Sequence, residues 1–223
     1  MLISIEKRFL FVANTKTAST SIEHVLMPYA DIYRGGTPAR KHTPMTKVIR
    51  SYPFLFNQPG YETGSFFRFG VMREPIEWIN SWFRYRKGNQ TAAPLPAEMD
   101  FPAFWKARDW NIQRVNGKPN LQQDMFCNPK GAMLVDMVIP HHELTQTFAT
   151  ICRALKIPAP LPRKNVSTLS ESPDMPAELA AELRAHYAPD YALWNKLPEI
   201  NAKGMNKLMT RIAPHIAPET GAR

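Results

Sequence analysis

Arg8-Phe9-Leu10-Phe11-Val12-Ala13, followed directly by Asn14-Thr15-Lys16-Thr17-Ala18-Ser19-Thr20-Ser21, is the stretch that decides the fold. After Arg8 the first segment is a short apolar run, the pattern of a strand buried on both faces. The second is a polar turn with one lysine and five hydroxyl side chains. Thr20-Ser21-Ile22-Glu23 then has the S/T-x-x-E form that opens a helix, and Ile22, Val25 and Leu26 give that helix an apolar face. Strand, polar loop and helix in this order are half of a βαβ unit.

The alternation continues along the chain. Phe66 to Met72 (FFRFGVM) reads as a second strand, and Pro75 starts a helix with Ile76, Ile79 and Phe83 at helical spacing. Leu134 to Ile139 (LVDMVI) is a third strand, followed by an amphipathic helix over 143–155. Between the first two strands, Thr43-Pro44 caps a short helix that turns Val48 and Ile49 inward. Residues 88–120 form an irregular excursion around a helix near Phe104, and C-terminal helices are expected at 176–186, 189–196 and from Lys203, within about 176–213. These signals predict one α/β domain over 1–223, with a mainly parallel central sheet and helices on both faces.

Composition excludes several classes. With 44% hydrophobic and 21% charged residues, the chain of 223 residues is too apolar to be disordered. Two cysteines, Cys127 and Cys152, cannot staple a disulfide scaffold, and no CxxC pair points to zinc. The apolar stretch Phe9–Ala13 is too short for a membrane span or a signal-peptide core, so the expectation is a cytoplasmic protein without an integral membrane segment. A formal charge of +9 favours an anionic partner without choosing which.

The loop at 14–21 narrows the choice. Free N–H groups and the dipole at a helix N-terminus favour an anion, and a lysine with five hydroxyls beside them suits a phosphate. A merely well-capped helix accounts for Thr20 and Glu23 but not for Lys16. The Walker-type loop G-x-x-x-x-G-K-[ST] is absent, since the first glycine is Gly35, which disfavours an ordinary kinase or NTPase. Further along, Arg73 leaves the carboxyl end of a predicted buried strand, where ligands of open α/β sheets bind, although surface pairing with Glu74 or Glu77 is an equal alternative for Arg73 taken alone.

Thr15-Lys16-Thr17-Ala18-Ser19-Thr20-Ser21 resembles the 5′-phosphosulfate loop (PKTAGTS-like) of the sulfotransferases that use 3′-phosphoadenosine 5′-phosphosulfate (PAPS), in particular the carbohydrate, family 2-like branch. Phe69-Gly70-Val71-Met72-Arg73-Glu74-Pro75, with Ser81 eight residues after Arg73, is similar to that family's strand–R-[DEN]-P–helix element. Arg163-Lys164-Asn165-Val166-Ser167 is similar to its late N-x-S segment, and Tyr187-Ala188-Pro189-Asp190-Tyr191 to a C-terminal helix junction. The resemblance spans residues 9–197 and implies a P-loop-NTPase-like α/β fold. It implies that Thr15, Lys16, Thr17, Ala18, Ser19, Thr20 and Ser21 bind the 5′-phosphosulfate, that Arg73 and Ser81 bind the 3′-phosphate, and that Asn165 and Ser167 also bind the cofactor. Lys16 and His42 would be catalytic, PAPS the donor, 3′,5′-ADP the product, and an acceptor hydroxyl on a saccharide or glycolipid the partner. No metal and no nucleic acid belong to this reading.

His42 is the leading general base because it precedes the expected N-cap Thr43, where a helix dipole disfavours imidazolium; an exposed loop histidine is the alternative. His141-His142 departs from the family, which often has glutamate at the second position, and two adjacent histidines do not by themselves make a metal site. Gln122, Gln123 and Asp124 lie on a segment that reads either as an approach to the acceptor or as a capped surface helix. Trp82, Arg84, Tyr85, Arg86 and Lys87 interleave aromatics with cations as a nucleic-acid platform does, yet helical spacing also explains them as a helix with a basic outer edge. Two rivals stand beside the sulfotransferase: a nucleotide kinase or NTPase with an atypical phosphate loop, and a non-catalytic binder of polyanions.

Overall fold

Residues 9–12 alternate strictly, with Phe9 and Phe11 in one hydrophobic cluster and Leu10 and Val12 in another, so both faces of this strand are covered. That period of two is the geometry of a pleated strand, and it explains a four-residue segment with no polar face. The computed structural model describes residues 1–88, 91–158 and 175–216. In chain order its elements are β1 (Leu2–Ser4), β2 (Phe9–Val12), α1 (Ser19–Leu26), β3 (Ile32–Tyr33), α2 (Pro38–Lys41), α3 (Met45–Ser51), α4 (Pro53–Phe56) and β4 (Phe67–Met72). They continue with α5 (Pro75–Gly88), α6 (Phe101–Lys106), β5 (Met137–Pro140), α7 (Leu144–Ala154), α8 (Ala177–His186), α9 (Ala188–Trp194) and α10 (Leu197–Lys207).

The five strands form one open sheet in the order β3-β1-β2-β4-β5. β2, β4 and β5 are parallel, whereas β1 is antiparallel to both β2 and β3. The sheet is therefore mixed, not mainly parallel as expected. The difference lies in residues 1–7, which carry too little pattern to be read as a strand. Arg8 takes the left-handed conformation (φ 53°) at the end of the connecting turn, and this folds β1 back along β2 as a hairpin.

Two clusters sandwich the sheet. Phe9, Phe11, Phe67, Phe69, Met137 and Ile139 face α1 and α7, while Leu10, Val12, Met72 and Val138 face α3, α4 and α9. A third cluster joins α5, α6 and α8 through Trp78, Phe104, Trp105, Leu183 and Tyr187, in the region of the irregular excursion. α10 starts at Leu197, six residues earlier than expected, with Pro198 in its first turn. No helix among the described residues is long and apolar enough to cross a membrane.

Two glycines set close approaches. A Cβ on Gly70 would lie 2.4 Å from the Phe126 ring and 3.0 Å from the Val12 carbonyl, so its bare backbone admits Phe126 over β4. A Cβ on Gly204 would lie 2.1 Å from the Asp136 carbonyl oxygen. That contact lets α10 lie close enough for Asn201 to accept from Val138 N–H (2.9 Å) and donate to its carbonyl (2.8 Å), which satisfies the outer edge of β5. Gly70→Ala and Gly204→Ala should each cost about 1–3 kcal/mol of stability in urea unfolding. Gly64→Ala, with nothing within 4 Å, should stay within about 0.5 kcal/mol of the parent.

Candidate functional site

The loop after β2 is held in an uncommon conformation. Lys16 and Ala18 both have φ of 58°, the left-handed region that costs a residue with a Cβ about 1–3 kcal/mol. Neighbouring hydrogen bonds hold it there: Thr15 N–H donates to Asn14 Oδ1 (2.8 Å) and Thr17 Oγ1 donates to the Asn14 carbonyl (3.1 Å). Left-handed residues in such a turn aim successive N–H groups into one concavity, the arrangement that binds anions in phosphate loops.

α1 begins two residues earlier than expected, with Ala18 in place of Thr20 as N-cap and no side-chain cap. The expected capping box does not form. Thr20 Oγ1 instead accepts from Lys41 Nζ (3.0 Å), and Glu23 forms a 2.7 Å ion pair with the same ammonium. No side-chain oxygen thus caps the first turn, where an anion site needs open amides, although Ser21 N–H already donates to the Ala18 carbonyl (3.0 Å).

α5 runs beside this loop. Trp78 Nε1 donates to the Thr15 carbonyl (3.0 Å), and Ser81, Trp82 and Tyr85 follow at helical spacing on the same side. Lys16 Nζ lies 3.7 Å from the centre of the Tyr85 ring and 5.8 Å from that of Trp82. Burial pushes the Lys16 ammonium down to about 8, and the like charges of Arg73 and Arg84 push the same way. Arg73 is itself lowered by burial, is raised by Glu77 and is lowered by Arg84. Lys16, Arg73 and Arg84 therefore form one cluster of cations, and none is ion-paired to a carboxylate among the described residues. The surface pairing once open to Arg73 is not made: Glu74 accepts from the Tyr191 hydroxyl and from Glu77 N–H.

Three buried donors in this cluster have no acceptor among the described residues: Arg73 Nε, Arg84 Nε and Trp82 Nε1. All three are N–H groups, so an anion is the class of ligand that completes them. Of the cationic run on α5, only Arg84 belongs here. Arg86 is buried and bonded to Asp109, Asn111 and the Ala93 carbonyl, and Lys87 donates to main-chain carbonyls of the 96–99 turn. The basic outer edge read from helical spacing is thus mostly internal structure.

Gln122 joins the two loops. Its Oε1 accepts from Asn14 Nδ2 and Arg73 N–H, both at 3.1 Å, and its Nε2 donates to the Arg73 carbonyl at 2.8 Å. Asp190, fully buried in the first turn of α9, accepts from the Gln122 and Gln123 amides (3.0 and 2.8 Å). His141 Nε2 accepts from the Arg73 guanidinium at 2.9 Å, and burial followed by the Arg73 charge holds that imidazole down at about 4, neutral at pH 7. The sequence left Arg84 and His141 outside the site and offered Gln122 only as an approach to the acceptor or part of a capped surface helix, not as the link between the two loops.

His42 ends α2 rather than preceding a helix; Thr43 donates to the Arg40 carbonyl, and α3 is capped at Pro44. The dipole argument therefore fails, but neutrality has another cause. Burial pushes His42 down to about 4, and its Nδ1 lies 2.7 Å from the Ala13 carbonyl. A carbonyl only accepts, so Nδ1 carries the proton and Nε2 keeps a lone pair. No described contact joins His42 to Lys16 or Arg73. Ser81 is buried on α5 without a described bond to Arg73, and Asn165 and Ser167 lie outside the described residues.

No protein-family model, curated protein or solved structure matches this chain. The charge coupling can be measured directly. Arg73→Ala removes a like charge and should raise the Lys16 pKa from about 8 towards the ordinary lysine value, shifting the pH profile of Lys16 acylation upward. An unmoved profile would separate the two side chains.

Proposed function

We propose that the protein is a sulfotransferase that moves the sulfuryl group of PAPS to a hydroxyl of a saccharide or glycolipid, on a P-loop-NTPase-like framework built around β2, β4 and β5. The observation that carries the reading is the shared cluster of Lys16, Arg73 and Arg84 with its three acceptor-less buried N–H groups, at the carboxyl ends of parallel strands. That donor set fits the anionic ends of a bisphosphorylated nucleotide, and the motif order in the sequence selects PAPS among them.

PAPS supplies a sulfuryl group already joined to a stabilised leaving oxygen. The residues of the chain bind and orient. The loop Thr15–Ser21 offers backbone N–H groups and hydroxyls to the 5′ end, while Arg73 and Ser81 serve the 3′-phosphate, with Asn165 and Ser167 assigned from sequence. Lys16 carries the fixed positive charge that stabilises a leaving oxygen. His42 Nε2 takes the proton of the acceptor hydroxyl, its tautomer fixed by the Ala13 carbonyl. The acceptor enters through a cavity of about 260 Å³ bordered by Thr20, Tyr33 and Lys41, one residue from His42. The same chemistry needs no metal, because a sulfuryl group carries less negative charge than a phosphoryl.

Thermal shift tests the nucleotide. 3′,5′-ADP should raise Tm at concentrations where 5′-AMP and Mg-ATP do not, and a larger shift with Mg-ATP would transfer the reading to a nucleotide kinase. Salt-sensitive binding of polyanions with no nucleotide preference would favour the non-catalytic binder instead. Arg73→Ala should weaken 3′,5′-ADP binding about tenfold or more while changing 5′-AMP binding little.

Turnover tests the roles. Lys16→Ala should lower kcat by about 10²–10³-fold with the fold intact. His42→Ala should lower it by about 10²–10⁴-fold at saturating donor and acceptor, and an unchanged kcat would move the base elsewhere.

A further inference from the structure

The opposite pole of the sheet carries a second concentration of positive charge. Arg8 directly precedes β2, Ser65 lies two residues before β4, and Lys207 ends α10. With Arg211 and His215, from the turns after α10, they line a cavity of about 240 Å³. This pocket lies at the amino ends of the parallel strands, away from Arg73 and His141 at the carboxyl ends, roughly 15–20 Å distant for strands of this length. It is not an extension of the first site.

Two of its cations are fixed in place. The Arg8 guanidinium stacks over Tyr61 at 4.5 Å and over Phe66 at 5.7 Å, and donates to the Gly60 carbonyl at 2.8 Å. Its backbone is left-handed, a strain that a residue other than glycine tolerates only where the surroundings impose it. Lys207 donates to the Phe66 carbonyl (2.9 Å) and to Asp136 (2.8 Å). Arg68 shares that carboxylate, so Asp136 is already outnumbered.

The other two lining side chains are unpartnered. Arg211 and His215 have no hydrogen bond or ion pair through their side chains among the described residues, and the charge of Arg211 reaches Lys207 and lowers its pKa, after burial and the opposing effect of Asp136. A π-helical turn, Leu208–Ile212, carries Arg211, and such turns are frequent at functional sites. The Ser65 hydroxyl donates to the Glu62 carbonyl, so Ser65 lines the pocket while its proton stays with that carbonyl.

We propose that this pocket, formed by Arg8, Ser65, Lys207, Arg211 and His215, binds a tetrahedral oxyanion, the phosphate or sulfate group of an ester large enough to use the remaining volume. Arg8 and Arg211, neither paired to a carboxylate among the described residues, favour a compact multiply charged group over a single carboxylate, and their planar forks match its oxygens. The proposal stands apart from the sulfotransferase reading and from the loop at Thr15–Ser21.

Calorimetric titration of the full chain with inorganic phosphate and with inorganic sulfate tests it, using Arg211→Gln and His215→Gln, whose side chains hold nothing else in place. Arg211→Gln should weaken oxyanion binding about tenfold with Tm in oxyanion-free buffer unchanged. Lys16→Ala should retain the binding. Vesicles containing a phosphoinositide distinguish the sources: capture by wild type but not by Arg211→Gln, reversed by free phosphate, assigns a lipid headgroup to the pocket, and oxyanion binding without capture assigns a soluble ester. Unchanged affinity in Arg211→Gln, or loss of all oxyanion binding in Lys16→Ala, would overturn the proposal.

Discussion

One buried carboxamide, that of Gln122, sets the separation of the loops that bear Lys16 and Arg73. Its oxygen takes N–H groups from Asn14 and Arg73, and its nitrogen returns a bond to the Arg73 carbonyl. At 1% exposure the group cannot fall back on water, so each missing partner would cost about 1–3 kcal/mol. The arrangement is supported from behind. Phe126 seats the 122–127 segment on bare Gly70, and the Asp190 carboxyl binds the Gln122 and Gln123 amides. Burial raises that carboxyl to about 7 against the pull of those two bonds, which shows how dry the support is.

From this clamp follows the electrostatic character of the site. Three cations placed together repel, and each is partly desolvated, which is why Lys16 titrates low. The protein accepts the repulsion without a close ion pair among the described residues: Glu74 is turned to Tyr191, Glu77 acts on Arg73 only through its field, and the neutral His141 is the group that meets the Arg73 guanidinium. A neutral acceptor orients a guanidinium without cancelling its charge. The positive potential therefore remains for a ligand.

What was legible in the sequence is what is local. The apolar run Phe9–Val12, the hydroxyl-rich turn, the strand before Arg73 and the helix after Pro75 are each contiguous, so period and turn chemistry expose them. The strand Leu2–Ser4 was not legible, because three residues show no period and its pairing depends on a strained Arg8. The S/T-x-x-E pattern misled, since a lysine from a separate helix, Lys41, takes both Thr20 and Glu23. Gln122 lies 108 positions from Asn14, and His141 lies 68 from Arg73. No local pattern encodes either pairing.

The same distinction explains why net charge alone was uninformative. The net charge of +9 counts buried and paired cations together with exposed ones. Arg68, Arg86 and Lys87 are bound to carboxylates or carbonyls inside the fold and contribute little outward field. Lys16, Arg73 and Arg84 at the carboxyl ends of the parallel strands, and Arg211 at the amino ends, have no carboxylate or carbonyl partner among the described residues, and left-handed backbone at a residue other than glycine lies in each group's surroundings, at Lys16 and Ala18 in the first and at Arg8 in the second. Strain and uncompensated like charge both oppose folding, and a sequence selected for stability alone would remove them. Bound anions, as proposed for each pole, would offset both costs at once.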